Sequence, residues 1–235
     1  MRSPHNTDSL EQLKLLLPEP IKLVIDVGIQ YETQFLIECF PDAFHYLIEP
    51  VTIYHEAIVR KYTVDGIAHE LVKSAVSDTE GLLYQHLQSL DGSGKVTHSQ
   101  LLNTRNDRLP GLIDIVPTQV MTLDAIIPPP LKNDQYLIKI DVDGIEEKII
   151  QGGKNLIQKA AVVVIEAPLR KLSVRTGMLE SLGMELFDIT DLCYYYNQLQ
   201  QVDLIFVNQS ITNTNLDFRP FLKYTPINWE QWRKH

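Results

Sequence analysis

The sequence predicts one α/β domain: a mostly parallel seven-stranded sheet with an antiparallel last strand and helices on both faces. Three observations carry this. Short, near-continuous apolar runs at 23–28, 44–50, 136–144 and 161–168 alternate with helix-like stretches, the pattern of parallel strands buried on both sides. The last two runs, 184–189 and 202–207, are joined without a helix long enough for a crossover, so they must pair antiparallel. A chain of 235 residues without internal repeats suits one domain with a short extension.

In chain order, 23–28 is a buried strand ending on glycine, and 33–40 is a helix closed by Pro41. Residues 44–50 form the second strand and 52–61 the helix after it. Residues 67–77 form a third strand, less fully buried because it carries His69, Glu70 and Lys73. From 89 to 117 the pattern lapses into polar residues, two prolines and the stretch Asp91, Gly92, Ser93, Gly94. That reads as a long loop with the role of a lid. Strand character resumes at 119–123, and the prolines at 128–130 separate it from the central strand at 136–144. A helix from 145 into 151 ends at Gly152 and Gly153. Residues 161–168 are the most hydrophobic strand, and 176–182 form a helix ending at Gly183. The loop between the closing strands carries Tyr194, Tyr195 and Tyr196; alternate members are expected in the core, with stacking on a ligand ring as the other use. The chain thus divides into a helical extension at 1–19, a domain at 20–208 and a tail at 209–235, whose Trp229 and Trp232 dock on the domain or on a partner.

Composition narrows the function. Apolar residues make up 44% and charged residues 22% of the chain, ordinary for a globular protein whose core needs neither disulfide nor metal. Cys39 and Cys193 form no CxxC pair, so no metal site is readable and a reducing, cytoplasmic setting is expected. The histidines at 45, 55, 69, 86 and 98 show no metal-ligand spacing. A formal net charge of −9 without a basic tract argues against nucleic acid as partner. The apolar run 13–17 is broken by Lys14 and stopped by Pro18, too short for a signal core or a membrane span. The expectation is a soluble protein with no membrane partner.

Ligands of open α/β sheets bind beyond the carboxyl ends of the strands. The first strand ends Asp26, Val27, Gly28, where a glycine permits a sharp turn and close approach of backbone amides. The second ends on Glu49, whose carboxylate can accept both hydroxyls of an adenosine ribose. This serves a nicotinamide dinucleotide or S-adenosylmethionine alike, but a pyrophosphate needs further glycines and 28–33 supplies none. Ser77 and Asp78 follow the third strand and can meet an adenine edge or merely form a turn. Lys139 and Asp141 share one strand face, and a lysine there needs a partner, with Asp26 and Asp141 as candidates. Asp143 and Glu146 add carboxylates that orient a hydroxyl, act as base, hold a cation, or cap the helix. Glu166 ends the most apolar strand. A sheet closing on one antiparallel strand is the arrangement of methyltransferases more than of dehydrogenases.

Six tags in order resemble the FkbM methyltransferases across roughly 20–208: 24–28; 40–41 leading to 48–50; 75–78 with Gly81; 122–124; 137–144 with Glu146 and Gly152; and 164–166. The resemblance implies a Rossmann-like methyltransferase fold, S-adenosylmethionine as methyl donor, and O-methylation of a sugar or secondary metabolite. It places Asp26 and Gly28 by the methionine part of the donor, Glu49 on the ribose and Ser77 with Asp78 near the adenine. Gln30 joins this donor set where the family shows Asn, and Glu32 stands where it shows Gly. Asp141 falls at the reaction centre beside Lys139, with Asp141 or Glu166 as the base for the acceptor hydroxyl. The expected partners are a small-molecule hydroxyl acceptor and, left open, a second copy of the chain in a homodimer. The rival reading is a non-catalytic scaffold or binding protein that lost donor binding through Gln30 and Glu32; a nicotinamide oxidoreductase is a further alternative.

Overall fold

The computed structural model describes residues 5–128 and 135–218. The apolar runs become strands because each is covered twice. Helix α1 (Asn6–Lys14) leads into β1 (Ile21–Val27), followed by α2 (Gln34–Cys39), β2 (Phe44–Ile48), α3 (Thr52–Val64) and β3 (His69–Val72). A short β4 (Ala75–Ser77), β5 (Gly81–Gln88), β6 (His98–Leu102) and β7 (Leu112–Thr122) come next, and α4 (Leu123–Ile126) closes that stretch. The central β8 (Gln135–Ile140) precedes α5 (Glu146–Gly152) and α6 (Lys154–Ile157); β9 (Val162–Pro168) precedes α7 (Leu172–Ser181). A hairpin of β10 (Met184–Tyr195) and β11 (Gln198–Asn208) leads to α8 (Gln209–Thr212).

The main sheet has seven strands in the order β10-β11-β9-β8-β1-β2-β3. Strand β11 runs antiparallel to both β9 and β10, whereas β1 with β2 and β8, and β8 with β9, are parallel. The antiparallel strand is therefore last in sequence but lies inside the sheet. Period-two alternation sends Ile138, Ile140, Val163, Ile165, Leu204 and Phe206 to one face, against α5, α6 and α7. Leu137, Val162, Val164, Ile205 and Val207 face the other way, against α1 and α2. Lys139, Glu166 and Asp203 share the parity of this second set, so the charged strand positions point toward α1.

Three expectations change. The single strand at 67–77 is two, β3 in the main sheet and β4 in a separate four-stranded sheet ordered β4-β7-β5-β6. The stretch at 89–117 is not one loop: β6 and the first half of β7 form inside it and pair with β5. Here cross-strand pairing overrides a locally polar composition. The tyrosine loop is a tight hairpin, with Tyr196 and Asn197 at φ 49° and 62°, as a two-residue turn between twisted strands requires. Tyr194, Tyr195 and Tyr196 are all exposed there, none of them in the core. Trp229 and Trp232 lie outside the described residues. Among the described residues, no helix is long and apolar enough to cross a membrane.

Helix α5 ends on Gly152 because no side chain fits: a Cβ there would stand 2.1 Å from the carbonyl oxygen of Ser77. Gly152→Ala is expected to cost about 1–3 kcal/mol through forced overpacking. Gly177, exposed within α7 with nothing near its would-be Cβ, is the contrasting case. Gly177→Ala is expected to stabilise by about 0.4–1 kcal/mol through helix propensity and unfolded-state entropy. Urea midpoints of the two variants against the native protein check both signs.

Candidate functional site

The ends of β1, β2 and β8 meet around Gly28. Its φ is +82°, and a Cβ would fall 1.9 Å from the carbonyl oxygen of Asp141. The two strand ends therefore touch through backbone, which only glycine permits. The chain then turns at Gln30, also in the left-handed region at φ 57°. That turn directs the Gln30 N–H to Glu49 Oε2 at 2.9 Å, while the Val51 N–H donates to Glu49 Oε1 at 2.8 Å. Both carboxylate oxygens are thus held by backbone donors at the end of β2. Burial pushes the Glu49 carboxyl above its usual range, and the two amide bonds oppose the shift.

Behind Gly28 lies a buried cation. Asp26 and Lys139 are cross-strand partners, and Lys139 Nζ sits 3.3 Å from Asp26 Oδ1, 3.3 Å from Asp141 Oδ2 and 3.0 Å from the carbonyl oxygen of Gly28. Both candidate partners of the lysine are engaged. Asp26 is fully buried and Lys139 is 5% exposed. Burial alone would lower the lysine pKa, but Asp141 and Asp26 outweigh it and raise it above the ordinary value. The ammonium therefore stays charged.

These groups open into a cavity of about 600 Å³ whose wall includes Gly28, Gln30, Glu49, Lys139, Asp141 and Asp143. The segment 96–99 crosses it: Tyr54 Oη donates to the carbonyl of Val96 at 2.8 Å, and the Ser99 N–H donates to Asp143 Oδ2 at 2.7 Å. Gln30 Nε2 approaches the Thr97 carbonyl at 3.4 Å. Glu32 also borders the cavity, but its carboxylate is 2.8 Å from Lys61 of α3, so its charge is answered locally.

Other expected site residues lie elsewhere. Ser77 Oγ donates to Asp78 at 3.0 Å and the Ser77 carbonyl packs on Gly152; the neighbouring cavity wall is Ser74, Ala75 and Val76 instead. Glu166 is half-buried outside the wall, its carboxylate accepting from Gln201 and its carbonyl from Arg175. Burial and the surrounding carboxylates of Asp141, Asp203, Glu146 and Asp143 push it up to about 8. Glu146 is buried against Arg175 at 2.5 Å and ties α5 to α7. The sequence reading missed His5, Asn6, Thr7 and Asp191, which line the cavity. No local pattern marks them, because the contacts of Asn6 with Asp191 and Asp203 join positions 185 and 197 apart.

Lys139→Met would leave the fully buried Asp26 carboxylate without its cation and is expected to cost about 3–5 kcal/mol. Adding Asp26→Asn should return part of that loss, since the two effects are coupled. Chemical denaturation of the single and double variants measures the coupling.

The model of the methyltransferase FkbM domain matches residues 26–188 of this chain. No curated protein matches it. Among solved structures, methyltransferase FkbM from Methylobacillus flagellatus KT is similar with a TM-score of 0.50 and 16% identity, over 79% of this chain and 43% of that one. The METTL16 MTase domain is similar with a TM-score of 0.50 and 10% identity, over 85% of this chain and 64% of that one. This chain thus spans less than two thirds of the length of either, and at these identities the likeness concerns the fold. Together with the strand order and the Gly28–Glu49 corner, the match over 26–188 decides the family. The chain belongs to the FkbM methyltransferase family, whose fold and cofactor are those of S-adenosylmethionine-dependent enzymes.

Proposed function

We propose that the chain transfers a methyl group from S-adenosylmethionine to a hydroxyl oxygen of a small molecule, a sugar or secondary metabolite. One observation carries the reading: the Glu49 carboxylate, fixed by the amides of Gln30 and Val51, opens into the same cavity as Asp141 and Asp143. The residues suit the donor. A carboxylate held by one backbone donor on each oxygen keeps lone pairs for two ribose hydroxyls. The glycine corner lets a ligand approach the backbone, and the cavity volume falls within the roughly 300–1,000 Å³ of small-molecule sites. Gln30 belongs to the donor set through its backbone amide. Gly28 takes the methionine end, with Asp26 fully buried behind it and outside the cavity wall, and Ser74 to Val76 take the adenine end in preference to Ser77 and Asp78.

When bound, the donor supplies an electrophilic methyl group on a sulfonium. The chain's own part is alignment and exclusion of water. Asp141 borders the acceptor and orients it, and Lys139 holds that carboxylate in place. The segment 96–99 shields the centre. Glu166, outside the wall, has no direct contact with the acceptor in this reading. The acid-rich wall of Glu49, Asp141, Asp143 and Asp191 favours an uncharged hydroxyl compound over a phosphate-bearing one by simple repulsion. The ion pair of Glu32 with Lys61 weighs against a scaffold that lost its donor site. Two free cysteines, one of them a buried thiol pushed up to about 12 by burial and by Glu11, suit a reducing cytoplasm.

Calorimetry with S-adenosylmethionine and S-adenosylhomocysteine tests the donor site. Micromolar binding is expected, and Glu49→Ala should weaken it about 10- to 100-fold, the worth of one or two hydrogen bonds to a charged group. No binding at millimolar ligand would favour the scaffold reading. Asp141→Asn should leave donor affinity within about twofold but lower turnover about 100-fold through misalignment of the acceptor. Transfer of radiolabelled methyl to a small-molecule extract measures it, and near-native turnover would remove Asp141 from the reaction centre.

A further inference from the structure

His5 and Asp191 come from opposite ends of the chain and meet at the rim of the cavity, where both belong to its wall. His5 Nδ1 is 2.9 Å from Asp191 Oδ1. The other oxygen, Oδ2, accepts the backbone N–H of Asn6 at 3.0 Å. Asn6 is buried and locked in turn: its Nδ2 donates to Asp203 Oδ2 at 2.6 Å, and its Oδ1 accepts from Thr190 Oγ1 at 2.5 Å. Asp191 itself is held at φ 45°, where the β10–β11 register breaks between Thr190 and Cys193. Aspartate adopts the left-handed region more readily than most residues. In that conformation its carboxylate meets His5 and the Asn6 amide.

We propose that His5 is the general base for the acceptor hydroxyl and that Asp191 is its positioning residue; this rests on the hydroxyl-methylation reading above. The alternatives are already committed. Asp141 holds Lys139, and Glu166 stands outside the wall with Gln201 and Arg175 on it. His5 Nε2 has no hydrogen bond among the described residues. With Nδ1–H donated to Asp191, Nε2 carries the lone pair, the arrangement that orients a histidine base. In the step, the acceptor oxygen forms its bond to the methyl carbon as the carbon–sulfur bond breaks. The bonding pair stays on sulfur, the hydroxyl proton passes to Nε2, and Asp191 stabilises the imidazolium until water takes the proton.

The charged groups that act on His5 are Asp191 of β10 and Asp8 of its own helix; Asp203 of β11 and Asp188 of β10 engage its neighbours Asn6 and Ser9, and Glu38, Glu32, Asp141, Asp143 and Lys139 border the same cavity. The hydrogen bond and charge of Asp191 raise the His5 pKa above its ordinary value. A base must be neutral to act, so turnover should rise with pH through that raised value and then level off. Removing the carboxylate should move the limb to lower pH.

The test combines an NMR titration of the His5 ring in the native full chain with methyl transfer from labelled S-adenosylmethionine to a small-molecule extract. The ring should titrate above the ordinary histidine value and move down in Asp191→Asn; titration at or below the ordinary value would overturn the pair. His5→Gln should lower transfer about 100-fold, with donor affinity by calorimetry unchanged. His5→Ala should recover part of the rate with added imidazole. Transfer within twofold of native in His5→Gln, or an unmoved acid limb in Asp191→Asn, would refute the assignment. If the native chain binds donor yet labels nothing in the extract, the hydroxyl-methylation reading itself fails, and this inference with it.

Discussion

Lys139 holds three pieces of backbone and side chain that would otherwise repel or drift. Its ammonium lies between Asp26 on β1 and Asp141 after β8 and donates to the carbonyl of Gly28. A fully buried carboxylate such as Asp26 is costly without a cation, and the buried ammonium of Lys139 is costly without a carboxylate beside it. Asp26 and Lys139 therefore require each other, and the more exposed Asp141 adds to the pair. The register of β1 against β8, with Asp26 opposite Lys139, places the group at the one edge where the strands open to a ligand. Gly28 completes the arrangement, because any side chain at that turn would strike the carbonyl of Asp141.

From this centre the site grows by recruitment. Glu49 is fixed by amides from the turn after β1 and the turn after β2, so this corner depends on the left-handed backbone at Gln30. The second sheet brings 96–99 across the cavity and ties it to Tyr54 and Asp143. The start of α1 brings His5 and Asn6 into the cavity wall, where Asp191 of the β10–β11 hairpin meets them, and Asp203 holds Asn6 from outside the wall. The Gly28–Glu49 corner and the His5–Asp191 pair are thus built from different parts of the chain.

The central strands were legible because their signal is local. A run such as 161–168 is apolar at every position, and only a strand covered on both faces tolerates that. Gly28, Glu49, Lys139 and Asp141 were legible for a related reason: they end or interrupt such runs, where a turn-forming or charged residue needs an explanation. The antiparallel character of β11 followed from the short link before it. The second sheet was not legible, because its strands are polar on one face and take their stability from pairing across loops. Nor did local pattern separate Ser77 and Asp78 from Ser74 to Val76, since a break between β3 and β4 moved the wall by a few residues.

By itself, then, the sequence determined the parallel core, the strand ends that meet around Gly28 and Glu49, and the pairing demanded by a lysine inside an apolar strand. All three rest on neighbours within a few residues, or on the free energy of burying a charge. Only the tertiary structure decided what else faces the cavity. Asn6 meets Asp203 across 197 positions, and Asp191 is aimed by a break in register that no single segment encodes. Hydrophobic periodicity specifies which face of an element is buried. It carries no information about which distant side chains that burial brings together.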